Sequence, residues 1–370
     1  MYKKFFMGIA AMAALTLVSC SSDDLNSLSD NSSKNEAISF DSYLGRSAVS
    51  VNGSRGSELD NTTLKGENGG FGVFGNYSST GNTTAYGENL FKNVPVTYKT
   101  SAWTYSPLKF WPEQGHIDFL AYAPYDANTA LNTTSAGKKT FTIDFTVENT
   151  VANQKDLLWA KAEKQTKDNI SNKKVKFQFN HALSRLGYSV KLYGDYTSNN
   201  VKFTLKSIKL AGSAPNATKS AQAFYTKGII DLSTGNWTSK DATKQDFNNW
   251  FSGTQDVTSA SASKPYKNPT TDYLFVIPQN FSANIGTTES PVANPDKLYV
   301  IVTYTITYTD GGTPEITNTV YKQLTPNFEQ GKAYKINLTI GLPIEFDADV
   351  TPWGNEIGIP DDNGIDTWDR

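Results

Sequence analysis

The sequence predicts an all-β protein of two antiparallel β-sandwich domains. Three observations carry that expectation. Aromatic residues are abundant, with Trp 7, Tyr 19 and Phe 20, and so are Ser, Thr, Asn and Gly. That mixture suits pleated strands joined by polar turns. Short runs of alternating apolar and polar residues recur along the chain, with turn residues between them. The 370 residues amount to about two and a half typical domains, enough for two cores.

Composition also narrows the function. A net charge of −2 leaves no basic excess for phosphates, so nucleic acid is not an expected partner. One cysteine and two histidines exclude a Cys-rich zinc site and a disulfide within the chain. No catalytic residue, metal ligand set or cofactor site is expected. His116 and His181 read as structural residues, and Ser184 near His181 lacks a nucleophile-elbow context. Asp361 to Asp366 lacks calcium-loop spacing and the Glu at position 12 of such a loop. Gly66, Gly69, Gly70 and Gly72 precede a strand and not a helix, so they form no phosphate cradle.

The N-terminus reads as an address. Lys3 and Lys4 precede an apolar run from Phe5 to Val18. That run is shorter than the roughly 20 residues a spanning helix needs. It ends in Leu17-Val18-Ser19-Cys20, small residues before a cysteine, as in a lipoprotein signal. Residues 1–19 are therefore expected to be a signal peptide, and Cys20 a lipidation site and membrane anchor. Residues 20–37, rich in Ser, Asn and Asp, read as a flexible tether, about 20–25 Å end to end.

The first strand is Ile38 to Leu44, with Ile38, Phe40 and Leu44 on one face. Gly45 to Gly70 is a long polar stretch, a length that often carries function. It holds Arg46 and Arg55; the other two arginines are Arg185 and Arg370. Strands follow over 70–75, 103–111, 116–123, 141–147 and 156–162. The polar run from Lys164 to Lys174 marks the expected boundary, giving an N-terminal domain over 38–168 and a C-terminal domain over 169–353. Strands in the second half are expected over 175–179, 186–192, 201–210, 228–232, 273–277, 298–308, 317–324 and 334–340. Asp241 to Thr270 reads as an elaborated loop with a helical turn near Asp246 to Phe251. Trp237 and Trp250 belong to the loop-rich 235–270 stretch and are the candidate exposed aromatics, able to stack on sugar. Ile344, Phe346, Ala348 and Val350 alternate as either a last strand or a strand donated to a neighbour. An acidic tail fills 354–370.

A set of motifs in order carries a resemblance. It runs from the lipobox through Gly70-Phe71-Gly72-Val73-Phe74-Gly75, Trp103-Thr104-Tyr105-Ser106-Pro107, Phe110-Trp111-Pro112 and Ile117 to Tyr125. It continues with Asp156-Leu157-Leu158-Trp159-Ala160, Phe177 to Leu186, Val276-Ile277-Pro278-Gln279 and Val350-Thr351-Pro352-Trp353. Together they resemble the fimbrillin family, subunits of type V pili in Bacteroidales, over roughly residues 38 to 353. Asp23 and Asp24 behind Cys20 resemble the surface-export signal of lipoproteins in such bacteria. The resemblance implies two sandwiches of transthyretin-like topology and export as an outer-membrane lipoprotein. It also implies removal of the first strand by an arginine-specific protease and donor-strand exchange with other pilus subunits. On that reading Arg46 and Arg55 are the candidate processing sites, and Ile38, Phe40 and Leu44 belong to the removable strand. A fimbrial subunit of the cell surface follows, at the tip or as an accessory in adhesion to a host or bacterial receptor or glycan. The competing expectation is a glycan-binding lipoprotein that keeps its lipid and stays monomeric.

Overall fold

The computed structural model describes residues 36–44, 59–66, 69–79, 90–135, 138–197, 200–267, 273–282, 296–310, 312–341 and 346–352. Strands dominate them. The first nine are β1 (Phe40–Leu44), β2 (Phe71–Ser78), β3 (Phe91–Lys99), β4 (Ala102–Thr104), β5 (His116–Ala123), β6 (Asn132–Ser135), β7 (Lys138–Thr146), β8 (Leu158–Gln165) and β9 (Val175–His181). Seven form one sheet in the order β1-β9-β8-β5-β2-β3-β4. All its pairings are antiparallel except β1 with β9.

This sheet curls around its own core. Phe40, Phe71, Val73, Phe91, Phe119, Leu158, Phe177 and Phe179 come from six of its strands and pack in one cluster. The curl brings the start of the chain onto the segment after β4. Ala37 bridges Phe110 antiparallel, Ile38 N–H donates to Lys109 O at 2.8 Å, and Trp111 N–H donates to Glu36 O at 2.9 Å.

β5 is buried at every position, because both of its faces are covered. Ile117, Phe119 and Ala121 point into the first core. Leu120 and Tyr122, on the opposite face, join a second core together with Phe74 of β2. The period of two thus divides one strand between two cores.

The rest of the chain builds that second core. Its strands are β10 (Ser184–Leu192), β11 (Val201–Ala211), β12 (Phe224–Tyr225), β13 (Lys227–Asp231), β14 (Trp237–Lys240), β15 (Lys244–Gln245), β16 (Phe247–Asp256) and β17 (Tyr266–Lys267). They continue with β18 (Leu274–Val276), β19 (Gln279–Asn280), β20 (Leu298–Tyr308), β21 (Ile316–Leu324), β22 (Asn327–Phe328), β23 (Ala333–Ile340) and β24 (Phe346–Pro352). One sheet runs β17-β10-β23-β24, with β18 also on β10, and another runs β16-β11-β20-β21. Inward residues of both, such as Tyr188, Val190, Phe203, Leu205, Val302, Tyr304, Ile336 and Leu338, share one cluster. β7 leaves the first half of the chain to pair with β13 in a sheet ordered β14-β13-β7-β6.

Four local differences from the sequence reading have physical causes. The polar run around Lys164 to Lys174 is the connection between β8 and β9 of one sheet, and residues earlier in the chain, among them Phe74, Leu120, Ile143 and Leu157, already join the second core. Between Asp246 and Phe251 there is no helical turn but the start of β16. There Leu210 faces Phe247 while Ile208 faces Phe251, so a bulge adds two residues to β16. That spacing imitates helical periodicity. The strand over 103–111 is only Ala102–Thr104, cut short ahead of Pro107. β3 has no counterpart among the expected strands, because Pro95 and a left-handed Asn93 (φ 48°) interrupt its pattern.

Candidate assembly interface around the first strand

β1 lies in a groove of its own sheet. Its inward face carries Ile38 just before the strand, then Phe40, Ser42 and Leu44, all buried. Asp41 and Tyr43 point outward, and Tyr43 is 48% exposed. Strand alternation sorts the two sets.

Phe40 is the centre of the contact. Its ring stacks on Phe177 at 5.6 Å. It meets Phe91 at 5.5 Å, Phe119 at 5.6 Å and Phe71 at 6.4 Å edge-on, and Tyr105 at 5.4 Å at a tilt. Burying a phenylalanine contributes about 1.5–3 kcal/mol, and each well-placed aromatic pair adds about 0.5–1.5 kcal/mol. This one side chain therefore anchors the strand.

Backbone bonds hold both edges. Along β9 the parallel register runs from Phe40 beside Val175 to Leu44 beside Phe179, and Val175 N–H donates to Ser39 O at 2.8 Å. Ser39 Oγ donates to Lys173 O at 2.7 Å. Along the other edge, Lys109 and Trp111 bond to Ile38 and Glu36, and Tyr105 Oη–H donates to Ile38 O at 2.8 Å. Burial pushes the Tyr105 hydroxyl above its ordinary value of 10.0, which keeps it a donor. Among the described residues, β8 meets β9 only at the far end, Leu158 beside His181 and Trp159 beside Asn180. Val175 to Phe179 therefore depend on β1 for their strand pairing.

The chain on either side of residues 45–58 returns to one place. Leu44 pairs beside Phe179. Leu59 N–H donates to Asp156 Oδ2 at 3.2 Å, and the same oxygen accepts His181 Nδ1 at 2.8 Å. Asp60 then caps the short helix Asn61–Leu64 through Thr63. His181 is thus a buried structural partner of Asp156. His116 similarly faces Asp118 at 3.4 Å. No group of three His, Cys, Asp or Glu side chains among the described residues is placed to hold a metal.

The remaining candidates separate clearly. Cys20, Arg46, Arg55 and Ile344 lie outside the described residues. Phe346, Ala348 and Val350 sit on β24, paired antiparallel to β23, with Ala348 buried beside Leu338. Trp250 is not exposed: it is 3% accessible and meets Tyr188 edge-on at 5.2 Å. The β16 bulge turns it inward. Trp237 is half-buried, with its indole N–H donating to Ala182 O at 2.8 Å. Sequence reasoning missed Tyr105 and the Lys109–Trp111 edge, which only the curl of the sheet brings to β1. It also passed over Ser42, a small polar residue in an apolar alternation.

Known proteins share this fold. A 2.55 Å crystal structure of a fimbrial protein from Bacteroides vulgatus ATCC 8482 superposes with a TM-score of 0.64 at 21% identity, covering 87% of this chain and 99% of that one. Fimbrium subunit Fim1C of Phocaeicola vulgatus is 28% identical over 395 aligned positions, spanning 97% of each chain. The family profile described as fimbrillin-like matches residues 58–353, the stretch that builds the groove and the whole second core. The chain belongs to the fimbrillin-like family.

Proposed function

We propose that this chain is a fimbrial subunit of the cell surface, assembled with other pilus subunits by replacement of β1. Export follows lipidation at Cys20. Cleavage after Arg46 or Arg55 then disconnects β1, and a strand from a neighbouring subunit takes its place. The observation that carries this reading is the groove. β1 is short and is bound through one buried face, its pairing along β9, and the bonds that Glu36 and Ile38 just before it make to Trp111 and Lys109. Its loss exposes an apolar trough and an unpaired strand edge, the features that capture another strand. The engagement of β24 with β23 supports a tip or accessory position in adhesion, since that strand is occupied in its own sheet. The glycan-binding reading loses the support of its two aromatics, one buried and the other bonded to backbone. Replacing both Arg46 and Arg55 with Ala is expected to leave surface material uncut and unassembled, read by gel mobility of surface protein. Unchanged processing in the double variant contradicts the proposal.

A further inference from the structure

Ser42 is the one polar residue on the inward face of β1. It is 8% accessible, and its Oγ has no hydrogen-bond partner. Its neighbours on that face are Phe40 and Leu44, and the strand beside it places Phe177 in register. A hydroxyl taken out of water without a partner destabilises the state that buries it. The resident strand thus carries a built-in defect, at a position flanked by two well-seated anchors.

We propose that position 42 sets the preference of the groove: the strand that replaces β1 presents an aliphatic side chain, alanine or larger, where β1 presents Ser42. The occupant is an extended segment with apolar residues at four alternate positions, an aromatic at the second and an aliphatic at the third. This rests on the strand-replacement reading above and adds a direction to it. A strand seated in the register of β1 would make the same backbone bonds, so they cannot favour exchange. The missing partner of Ser42 can. The sequence Ile344-Glu345-Phe346-Asp347-Ala348-Asp349-Val350 has this pattern, with Ala348 in the place of Ser42, and serves as a natural-sequence probe.

Two measurements test the proposal. In the intact chain, Ser42→Ala removes the hydroxyl without adding volume, and its Tm is expected to rise by about 2–4 °C. An unchanged or lower Tm overturns the proposal. In the second, the chain is cut by an arginine-specific protease and challenged with peptides, and release of the segment ending at Arg46 or Arg55 is followed by mass spectrometry. The peptides copy residues 37–44, the same residues with Ala in place of Ser42, and residues 343–350. The two alanine-bearing peptides are expected to displace β1 at about tenfold lower concentration than the serine-bearing copy, corresponding to roughly 1.4 kcal/mol. Equal displacement by all three overturns the role of Ser42 and leaves strand replacement standing. Complete cutting with no displacement by any peptide overturns strand replacement and this proposal together.

Discussion

Phe40 and Tyr105 show how single residues hold the first strand. Phe40 touches five aromatic rings drawn from elsewhere in the sheet or the loop after β4. Phe40→Ala leaves a cavity that the surrounding rings cannot fill, and is expected to cost about 3–5 kcal/mol, read by denaturant unfolding. A loss under 1 kcal/mol contradicts the anchoring role. Tyr105→Phe keeps the ring and removes the bond to Ile38 O. It is expected to cost about 1 kcal/mol. The pH dependence has a defined sign. With the folded pKa above 10.0, the unfolded chain loses its proton first as pH rises. The tyrosine's contribution is therefore complete below about pH 10 and lost as pH climbs towards the raised folded value. The difference in stability between wild type and Tyr105→Phe is expected to be flat across neutral pH and to shrink above about pH 10. A difference that vanishes near neutrality contradicts it.

At the scale of elements, the hairpin from β13 to β14 couples the two halves of the chain. Gly235 closes it with φ +77°, and a Cβ there would meet the Trp159 ring of β8 at 2.0 Å. Both the conformation and the contact demand glycine. Gly235→Ala is expected to cost about 2–4 kcal/mol, measured by thermal unfolding; a neutral result contradicts the close packing of this turn on Trp159. The same elements show what the sequence makes legible. Leu298 to Tyr308 and His116 to Ala123 are found where alternation or a mostly apolar run places them. β16 defeats the same logic, because its bulge shifts Phe247 and Trp250 onto one face at a spacing of three. β1 was legible through Ile38, Phe40 and Leu44. Its other edge was not, because Lys109 and Trp111 bond to Ile38 and Glu36 across more than 70 residues of chain. Pairings of that kind depend on sheet curvature, which no local window encodes.

Across the whole molecule, two cores share a wall. β2 and β5 give one face to each, so the second core stabilises the sheet that holds the groove. None of the buried residues of β1 belongs to the second core. Loss of β1 is therefore expected to raise amide exchange in β9 at Val175 to Phe179, while β10, β11, β20 and β23 stay protected. Exchange spreading evenly through both cores contradicts that division. A groove that opens without unfolding the body behind it is what strand replacement requires. The measurement that tests the account most directly is the N-terminus of the assembled surface protein, by mass spectrometry. The account predicts a start at Ser47 or Gly56, with β1 gone. An acylated Cys20 on every assembled copy contradicts it.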